Sequence, residues 1–239
     1  MGRPDPGQEL VFGPNIADWP EQVALPENLL LTVCSAIYDP VTTTDELIPS
    51  GETSSYRSNP VKLSEFALSR KDPQYVPRAK EVLAVERLRR TNPGDPRVGE
   101  ALLGHDPADT GLGSLVMALK PGDGSAREQA ASCQRVLGGC ANICYDFATK
   151  RYRSNCVNWG MLPFTLADGA PFDAVPGDFI FVPAVREKVA RGDEEFPAVL
   201  VHAGQTQALT LYLKNTNAEE RELLLTGCLM NHYAAQNRR

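Results

Sequence analysis

Several features that place a protein quickly in a class are missing from this 239-residue sequence. No apolar run approaches the roughly 20 residues that a membrane-spanning helix needs. The first residues, Met1-Gly2-Arg3-Pro4-Asp5-Pro6, contain no apolar core of a secretory signal peptide. Positive charge is scarce, since 24 lysines and arginines stand against 30 aspartates and glutamates, a net charge of −6. We therefore expect a cytoplasmic protein whose main partner is neither nucleic acid nor a membrane.

The six cysteines follow no metal-binding pattern. There is no Cys-x-x-Cys pair, and the spacing of Cys140 and Cys144 fits no common zinc or iron–sulfur site. Thiols of an intracellular chain stay reduced. We therefore expect free cysteines, with Cys140 and Cys144 buried and inert, and no metal or cofactor bound by this chain.

Hydrophobic residues make up 42% of the sequence, which is enough for a sizeable core. Residues 1–27 are rich in proline and polar groups and predict a linker or wrapping arm, and residues 28–239 form the globular part. Short apolar runs predict strands at 28–36, 112–119, 139–145, 179–182, 197–203 and 208–213. Helical patterns alternate with these strands, so the predicted class is α/β.

The regions between these elements carry further expectations. We expect polar loops at residues 42–51 and 91–111, and one final helix from Thr216 or Asn217 to about Tyr233. Of the histidines, His105 is expected to be exposed. His202 lies in an apolar strand, where a histidine is more often a core residue than a ligand.

A glycine loop, residues 122–128, lies between a predicted strand and a predicted helix. Ala126, Ala130, Cys133 and Leu137 step by four, three and four residues, and so share one helical face. Glycines allow backbone N–H groups to approach a ligand, and a helix start adds positive potential. The loop is therefore suited to binding an anion.

Two interpretations of Ser125 remain open from the residues alone. With Glu128 it forms Ser-x-x-Glu, the pattern of a helix capping box. Arg127, however, places a cation in the first helical turn, where it opposes the helix dipole by about 0.5 kcal/mol. A cation at a helix start is normally unfavourable, and an exception at a glycine loop favours a functional residue. An arginine there can bind a carboxylate through two parallel hydrogen bonds.

Four blocks of sequence resemble the C-terminal swivelling domain of the aconitase family, a family of iron–sulfur hydro-lyases and isomerases. The blocks are Thr44-Asp45 with Pro49, Gly124-Ser125-Ala126-Arg127-Glu128, Leu137-Gly138-Gly139, and Asn155 with Gly160-Met161-Leu162-Pro163-Phe164. Arg57 falls where the family has a substrate-binding arginine, although a lone loop arginine is usually solvated. The match spans residues 28–236. It implies a three-layer β/β/α fold with a mainly parallel central sheet.

The resemblance also implies roles for the matched residues. Ser125 would be the general base that removes a proton from the carbon next to a carboxylate, with Asp45 as the second catalytic residue. The implied substrate-binding residues are Arg127, Arg57, Thr44, Gly124 and Ala126. The chemistry agrees, because a weak carbon acid needs fixed cations near its developing charge, and a serine is a poor base unless cations and N–H groups lower its pKa.

The implied reaction is dehydration and rehydration of a hydroxy-di- or tricarboxylic acid. In this family it takes place at a four-iron, four-sulfur (4Fe-4S) cluster, whose cysteine ligands lie in other domains. The implied partners are N-terminal cluster-binding domains or a large subunit, so that this chain alone would be incomplete and inactive. Ala126, Gln129 and Glu46 depart from the common pattern of the family, so citrate need not be the substrate.

Alternatives remain. The chain would be either a piece of a longer hydratase, which the linker-like residues 1–27 favour, or the free-standing small subunit of an isopropylmalate-isomerase-like enzyme. A protein of another class, a non-catalytic carboxylate- or phosphate-binding module, would keep the loop without the chemistry. A nucleotide-binding domain is disfavoured, because the loop lacks both the Gly-x-Gly-x-x-Gly spacing and the lysine of a phosphate loop.

Overall fold

Strands and helices alternate along most of the chain, and a computed structural model describes residues 3, 5–9, 11–171 and 173–237. The strands are β1 (Asn28–Ile37), β2 (Thr42–Thr43), β3 (Thr110–Ala118), β4 (Pro121–Asp123), β5 (Gly139–Cys144), β6 (Leu162–Thr165), β7 (Phe179–Val182), β8 (Glu195–His202) and β9 (Gln205–Tyr212). The helices are α1 (Thr44–Leu47), α2 (Pro60–Ser64), α3 (Tyr75–Thr91), α4 (Pro96–Ala101), α5 (Arg127–Val136), α6 (Lys150–Asn158), α7 (Val185–Arg191), α8 (Ala218–Thr226) and α9 (Leu229–Gln236). None of these helices has the length and apolar character needed to cross a bilayer.

The main sheet has seven strands and closes on itself in the order β1-β3-β5-β6-β9-β8-β7. Strands β1, β3, β5 and β6 run parallel to one another. Strands β7, β8 and β9 complete the ring through antiparallel pairs, and β9 joins β6 only at Thr165 and Tyr212. The predicted mixed α/β class, with a sheet of mainly parallel strands, is confirmed. The three-layer arrangement remains a prediction.

The apolar runs of β1 and β3 are buried on both faces, as is usual for parallel strands covered by other elements. On β1, Leu29 and Leu31 enter a core inside the strand ring, whereas Cys34 and Ile37 enter a second core. That second core lies mainly among α2, α3, α5 and α6. Residues on one strand thus fill two cores because successive side chains point to opposite faces, and a β-bulge between Val33 and Ser35 changes the face that Ile37 meets.

A small two-stranded sheet extends the carboxyl end of β3. Strands β2 and β4 pair in parallel, with Thr42 beside Pro121 and Thr43 beside Asp123. This pairing brings the start of α1 next to the glycine loop, which follows β4 directly. The loop therefore lies at the carboxyl side of the parallel strands, where open α/β sheets bind their ligands.

The structure corrects three predictions about loops and the last helix. Residues 42–51 contain β2 and α1, and the helix begins with a capping box between Thr43 and Glu46. Residues 91–111 contain α4, whose first turn is capped by Asp95. The single predicted C-terminal helix is two helices, because Gly227 has a φ of +95° and Cys228 is extended. These elements are short, and side-chain caps rather than apolar periodicity define where they begin.

Both predictions about histidines were also wrong. His202 is exposed, and its Nδ1 lies 2.9 Å from the carboxylate oxygens of the buried Asp178. His105 is half-buried and stacks on Phe181 with ring centroids 3.8 Å apart. The alternation of β8 buries Phe196, Ala198 and Leu200 and would place His202 on the same face, but His202 is the last residue of the strand and is exposed there.

Candidate functional site

The glycine loop is held between two side chains. Gly122 has a φ of +96°, and a Cβ atom there would overlap the Tyr152 ring. Gly124 has a φ of +122°, and a Cβ atom there would overlap Oγ1 of Thr44. Both positions therefore require glycine, for their backbone conformation and for the space around them. Thr44, which is buried, contributes to the loop as a packing surface.

Tyr152 is fixed in turn by a closed ring of buried hydrogen bonds. Its hydroxyl donates to Oδ1 of Asn142 at 2.7 Å and accepts from Nε2 of Gln134 at 2.9 Å. Nδ2 of Asn142 donates to Oε1 of Gln134 at 2.7 Å, which completes the ring. Buried polar groups that satisfy one another in this way define one arrangement of the core. The ring thus supports Gly122 from below through the tyrosine.

The capping-box interpretation of Ser125 was wrong. Helix α5 begins at Arg127, its N-cap residue is Ala126, and no side chain caps it. The Glu128 carboxylate does not accept a hydrogen bond from Ser125. Its Oε1 accepts a hydrogen bond of 3.1 Å from Nε1 of Trp159 instead. Ser125 is exposed at the surface of the loop, so its hydroxyl is accessible for another role.

Ser125 and Arg57 share one open groove. The groove is lined by Ser50, Arg57, Ser125, Ala126, Glu128 and Gln129. Arg57 is exposed, and its Nη2 lies 3.5 Å from the carbonyl oxygen of Ser50, the long limit of a hydrogen bond. Its guanidinium is therefore only weakly held and can turn toward an anion in the groove.

A second groove on the other side of Ser125 contains Arg127. It is lined by Ser125, Arg127, Glu128, Lys150, Arg151, Ser154 and Asn155. Within the described part of the chain, Nε of Arg127 is buried and has no hydrogen-bond partner. A buried N–H without an acceptor is costly unless a ligand supplies one. The structure thus brings Ser125 together with both predicted carboxylate-binding arginines, one in each groove.

Asp45 lines neither of the two grooves that contain Ser125. It pairs with Arg70, which also binds Glu52 with its Nη2 2.5 Å from the carboxylate. All three side chains are substantially exposed. The position of Asp45 next to Thr44 places it beside the loop, but its carboxylate points to a surface ion-pair network.

Sequence reasoning missed two cations of the second groove, Lys150 and Arg151. They occupy the first turn of α6, which has no acidic residue there. A cation at a helix start opposes the helix dipole, which is the same signal that drew attention to Arg127. The sequence therefore has a cation in the first turn of a helix twice, in α5 and in α6. The two helix starts, of α5 and α6, face one groove.

The described residues do not fit a metal or an iron–sulfur cluster. Among them, no group of three or more histidine, cysteine, aspartate or glutamate side chains could hold a metal ion. The six cysteines are free, and all but the half-buried Cys140 are buried. Burial raises the pKa of Cys34 and of Cys156 to about 12, so both thiols are protonated at neutral pH.

Comparisons with known proteins place part of the chain beside a known family. Residues 108–169 match the aconitase C-terminal domain family. The mitochondrial aconitate hydratase of Schizosaccharomyces pombe is 32% identical over 114 residues, which cover 47% of this chain and 14% of that protein. A putative mitochondrial aconitate hydratase of Emericella nidulans is 29% identical over 112 residues, again 14% of its length. The matched segments therefore represent a small part of these curated relatives.

A solved structure has the same fold over most of the chain. It is a 3-isopropylmalate dehydratase from Methanocaldococcus jannaschii, with a TM-score of 0.53 and 18% sequence identity. The similarity covers 88% of this chain and 96% of that chain. Together, the family match over residues 108–169 and the aconitate hydratase relatives support a C-terminal aconitase-family domain.

Proposed function

We propose that this chain is the C-terminal swivelling domain of an aconitase-like hydratase. It would supply the base and the carboxylate-binding arginines for interconverting a hydroxy-di- or tricarboxylic acid and its dehydrated form. The observation that carries the proposal is the position of Ser125, which is exposed between a groove containing Arg57 and a groove containing Arg127. Two cationic side chains flanking one hydroxyl suit a substrate with two or more carboxylates.

In this proposal Ser125 reacts with the substrate through a single atom of its side chain. Its Oγ, as the alkoxide, takes a proton from the carbon adjacent to a substrate carboxylate and becomes a hydroxyl. Arg127 and Arg57 bind carboxylates, and their charge stabilises the negative charge that develops when the proton leaves. The same cations, with the N–H groups of the glycine loop, would lower the pKa of the serine hydroxyl. Thr44 keeps Gly124 in place, and Asp45 would act through the loop beside it.

Departure of the hydroxyl group is not assigned to this chain. The resemblance implies a 4Fe-4S cluster for that step in the complete enzyme, and the described residues do not fit one. The cluster would be held by N-terminal domains or by a large subunit. This chain would close over the substrate bound there, and on its own it would be inactive.

Two arrangements of the complete enzyme are compatible with the proposal. The aconitate hydratase relatives are several times longer than the matched segments, which favours a chain continuous with cluster-binding domains. The likeness that covers 96% of a 3-isopropylmalate dehydratase chain favours a separate small subunit. Co-purification of this chain with a cluster-binding subunit expressed separately would support the second arrangement.

The test of the proposed chemistry uses the assembled enzyme. Ser125→Ala should lower kcat by at least about a hundredfold, because a proton transfer is lost. Arg127→Lys keeps the charge but not the planar fork, so a raised KM should be its main effect. Lys62→Gln, an exposed change in α2, serves as the control. A Ser125→Ala enzyme with near-normal kcat would rule out the serine as base.

A non-catalytic anion-binding module is the second candidate. The observation in its favour is that Asp45, the second predicted catalytic residue, is engaged by Arg70 rather than directed to either groove. Such a module would bind a carboxylate with unchanged affinity after Ser125→Ala. It would also give no turnover with any cluster-binding partner.

A further inference from the structure

We propose that residues 16–23, called the brace below, position the candidate site by tying together its two walls. One wall is the segment that carries Arg57, and the other is the start of α5 next to Ser125. The role of the groove in substrate binding rests on the proposed function, but the contacts of the brace do not depend on it. Residues 1–27 were predicted to be a linker or wrapping arm, and Met1, Gly2, Pro4 and Leu10 lie outside the described residues.

The brace contacts the first wall through its backbone. The amide of Ala17 donates a 3.0 Å hydrogen bond to the carbonyl oxygen of Ser58. Ser58 directly follows Arg57, which lines the groove with Ser125. A hydrogen bond at this position restricts how far the Arg57 segment can move away from the rest of the groove.

Trp19 of the brace contacts the second wall through Trp159. Trp19 packs on Trp159 with ring centroids 4.4 Å apart. The indole N–H of Trp159 donates to Oε1 of Glu128 at 3.1 Å. Glu128 lies in the first turn of α5, directly after Arg127, and lines both grooves. Trp19 and Trp159 are therefore positioning residues that act through Glu128.

A buried arginine anchors the brace to the other end of α5. Arg135, in the last turn, is 8% exposed. Its Nε donates to Oε1 of Gln22 at 3.0 Å, and its Nη2 donates to the carbonyl oxygen of Val23 at 2.8 Å. Its remaining acceptors within the described chain are the Gly139 and Gly227 carbonyls and the Cys140 sulfur, so no carboxylate neutralises it.

This anchor makes release of the brace costly. Without Gln22 and Val23, a buried guanidinium would lose two of its acceptors, and buried charged donors without partners are strongly unfavourable. The side chain of Asn231 adds a 2.9 Å hydrogen bond to the carbonyl oxygen of Gln22. The brace is thus fixed at both ends of α5 and at Ser58. If it is displaced, the distance between the Arg57 segment and the helix start is no longer held by these contacts.

Single substitutions test the brace with this chain and sulfate as the probe. Trp19→Ala should shift the amide NMR signals of both Ser58 and Glu128, and should weaken sulfate binding about three- to tenfold. Trp19→Phe keeps an aromatic ring and should restore the affinity to within about twofold. Phe12→Ala is the matched control, since Phe12 belongs to the same N-terminal segment but lies outside the brace and is half exposed.

The outcomes are separable. If Trp19→Ala leaves the Ser58 and Glu128 amides as unmoved as Phe12→Ala does, the proposal is overturned, whether or not sulfate binds. Should Trp19→Ala fail to fold, Trp159→Phe keeps an aromatic ring but removes the N–H donor to Glu128 and should still shift the Arg127 and Glu128 amides. Unmoved amides there also overturn the proposal. Loss of turnover in Ser125→Ala is measured in the assembled enzyme, so failure of the proposed function leaves this result standing.

Discussion

Gly124 packs so closely against Thr44 that a methyl group on the glycine would overlap Oγ1 of the threonine. Gly124 also has a φ of +122°, a conformation that other residues rarely adopt. We predict that Gly124→Ala destabilises the protein by about 2–4 kcal/mol, because strain and overlap add. Sulfate binding at the loop should weaken as well, since the N–H groups of the loop move.

Gly169→Ala is the control for this prediction. Gly169 also has a positive φ, +72°, but no atom of the described residues lies within 4 Å of a Cβ atom built there. Its substitution should cost only about 1–2 kcal/mol, the strain term alone. Urea unfolding of both variants measures the difference. Equal losses of stability would mean that the contact with Thr44 contributes nothing.

The buried ring of Tyr152, Asn142 and Gln134 gives a second prediction. Tyr152→Phe keeps the aromatic ring beneath Gly122 but removes the hydroxyl that both partners use. The free energy of unfolding should fall by about 1–3 kcal/mol, because Oδ1 of Asn142 is left buried without its donor. Tyr145→Phe, which removes a hydrogen bond to Ala170 at a partly exposed position, should cost less. Chemical denaturation of the two variants tests this, and an equal cost would contradict it.

The main strands could be predicted from the sequence because their apolar runs are buried on both faces. Strand β3 shows this well, since every residue from Thr110 to Ala118 is buried. Strand β2 and helix α1 were missed for the opposite reason. They are two and four residues long, and they depend on the pairing with β4 far along the chain. No local pattern contains that pairing.

The candidate site was predictable only where a local rule was visibly broken. Arg127 in a helix start and the glycines of the loop drew attention to Ser125, but the residues alone indicated a solvated Arg57. The predicted capping box failed because Trp159, 31 residues beyond Glu128, provides the competing donor. A contact of that separation follows from packing of α6 against α5, which the sequence of the loop does not specify.

The capping box of α1 predicts a dependence of stability on pH. Burial alone would raise the pKa of Glu46, but hydrogen bonds from Thr43 and the nearby Lys71 ammonium lower it below its ordinary value of 4.5. A lowered pKa in the folded state means that the ionised carboxylate stabilises the fold above pH 4.5. This contribution is lost as the pH falls through the folded-state pKa.

Glu46→Gln should therefore lower the melting temperature at pH 7, and the difference from the wild type should shrink as the pH falls below 4.5. Thermal unfolding between pH 3 and pH 7, at about one-unit steps, measures this. Glu9→Gln, at an exposed position of the N-terminal segment, controls for the loss of one negative charge. A difference that grows toward low pH would show that the sign is wrong.

The last prediction separates the role of Ser125 from that of a helix cap. Because the Ser125 side chain caps no helix, Ser125→Ala should change the free energy of unfolding by less than about 0.5 kcal/mol. Asn217 does cap a helix, since its side chain accepts from the amide of Glu220 at 2.9 Å. Asn217→Ala should therefore cost about 1 kcal/mol.

Urea unfolding compares the two variants in this chain, and turnover compares them in the assembled enzyme. We expect opposite rankings, with Ser125→Ala stable but slow and Asn217→Ala less stable but active. A Ser125→Ala chain as unstable as Asn217→Ala would restore the capping interpretation and remove the main argument for a functional serine.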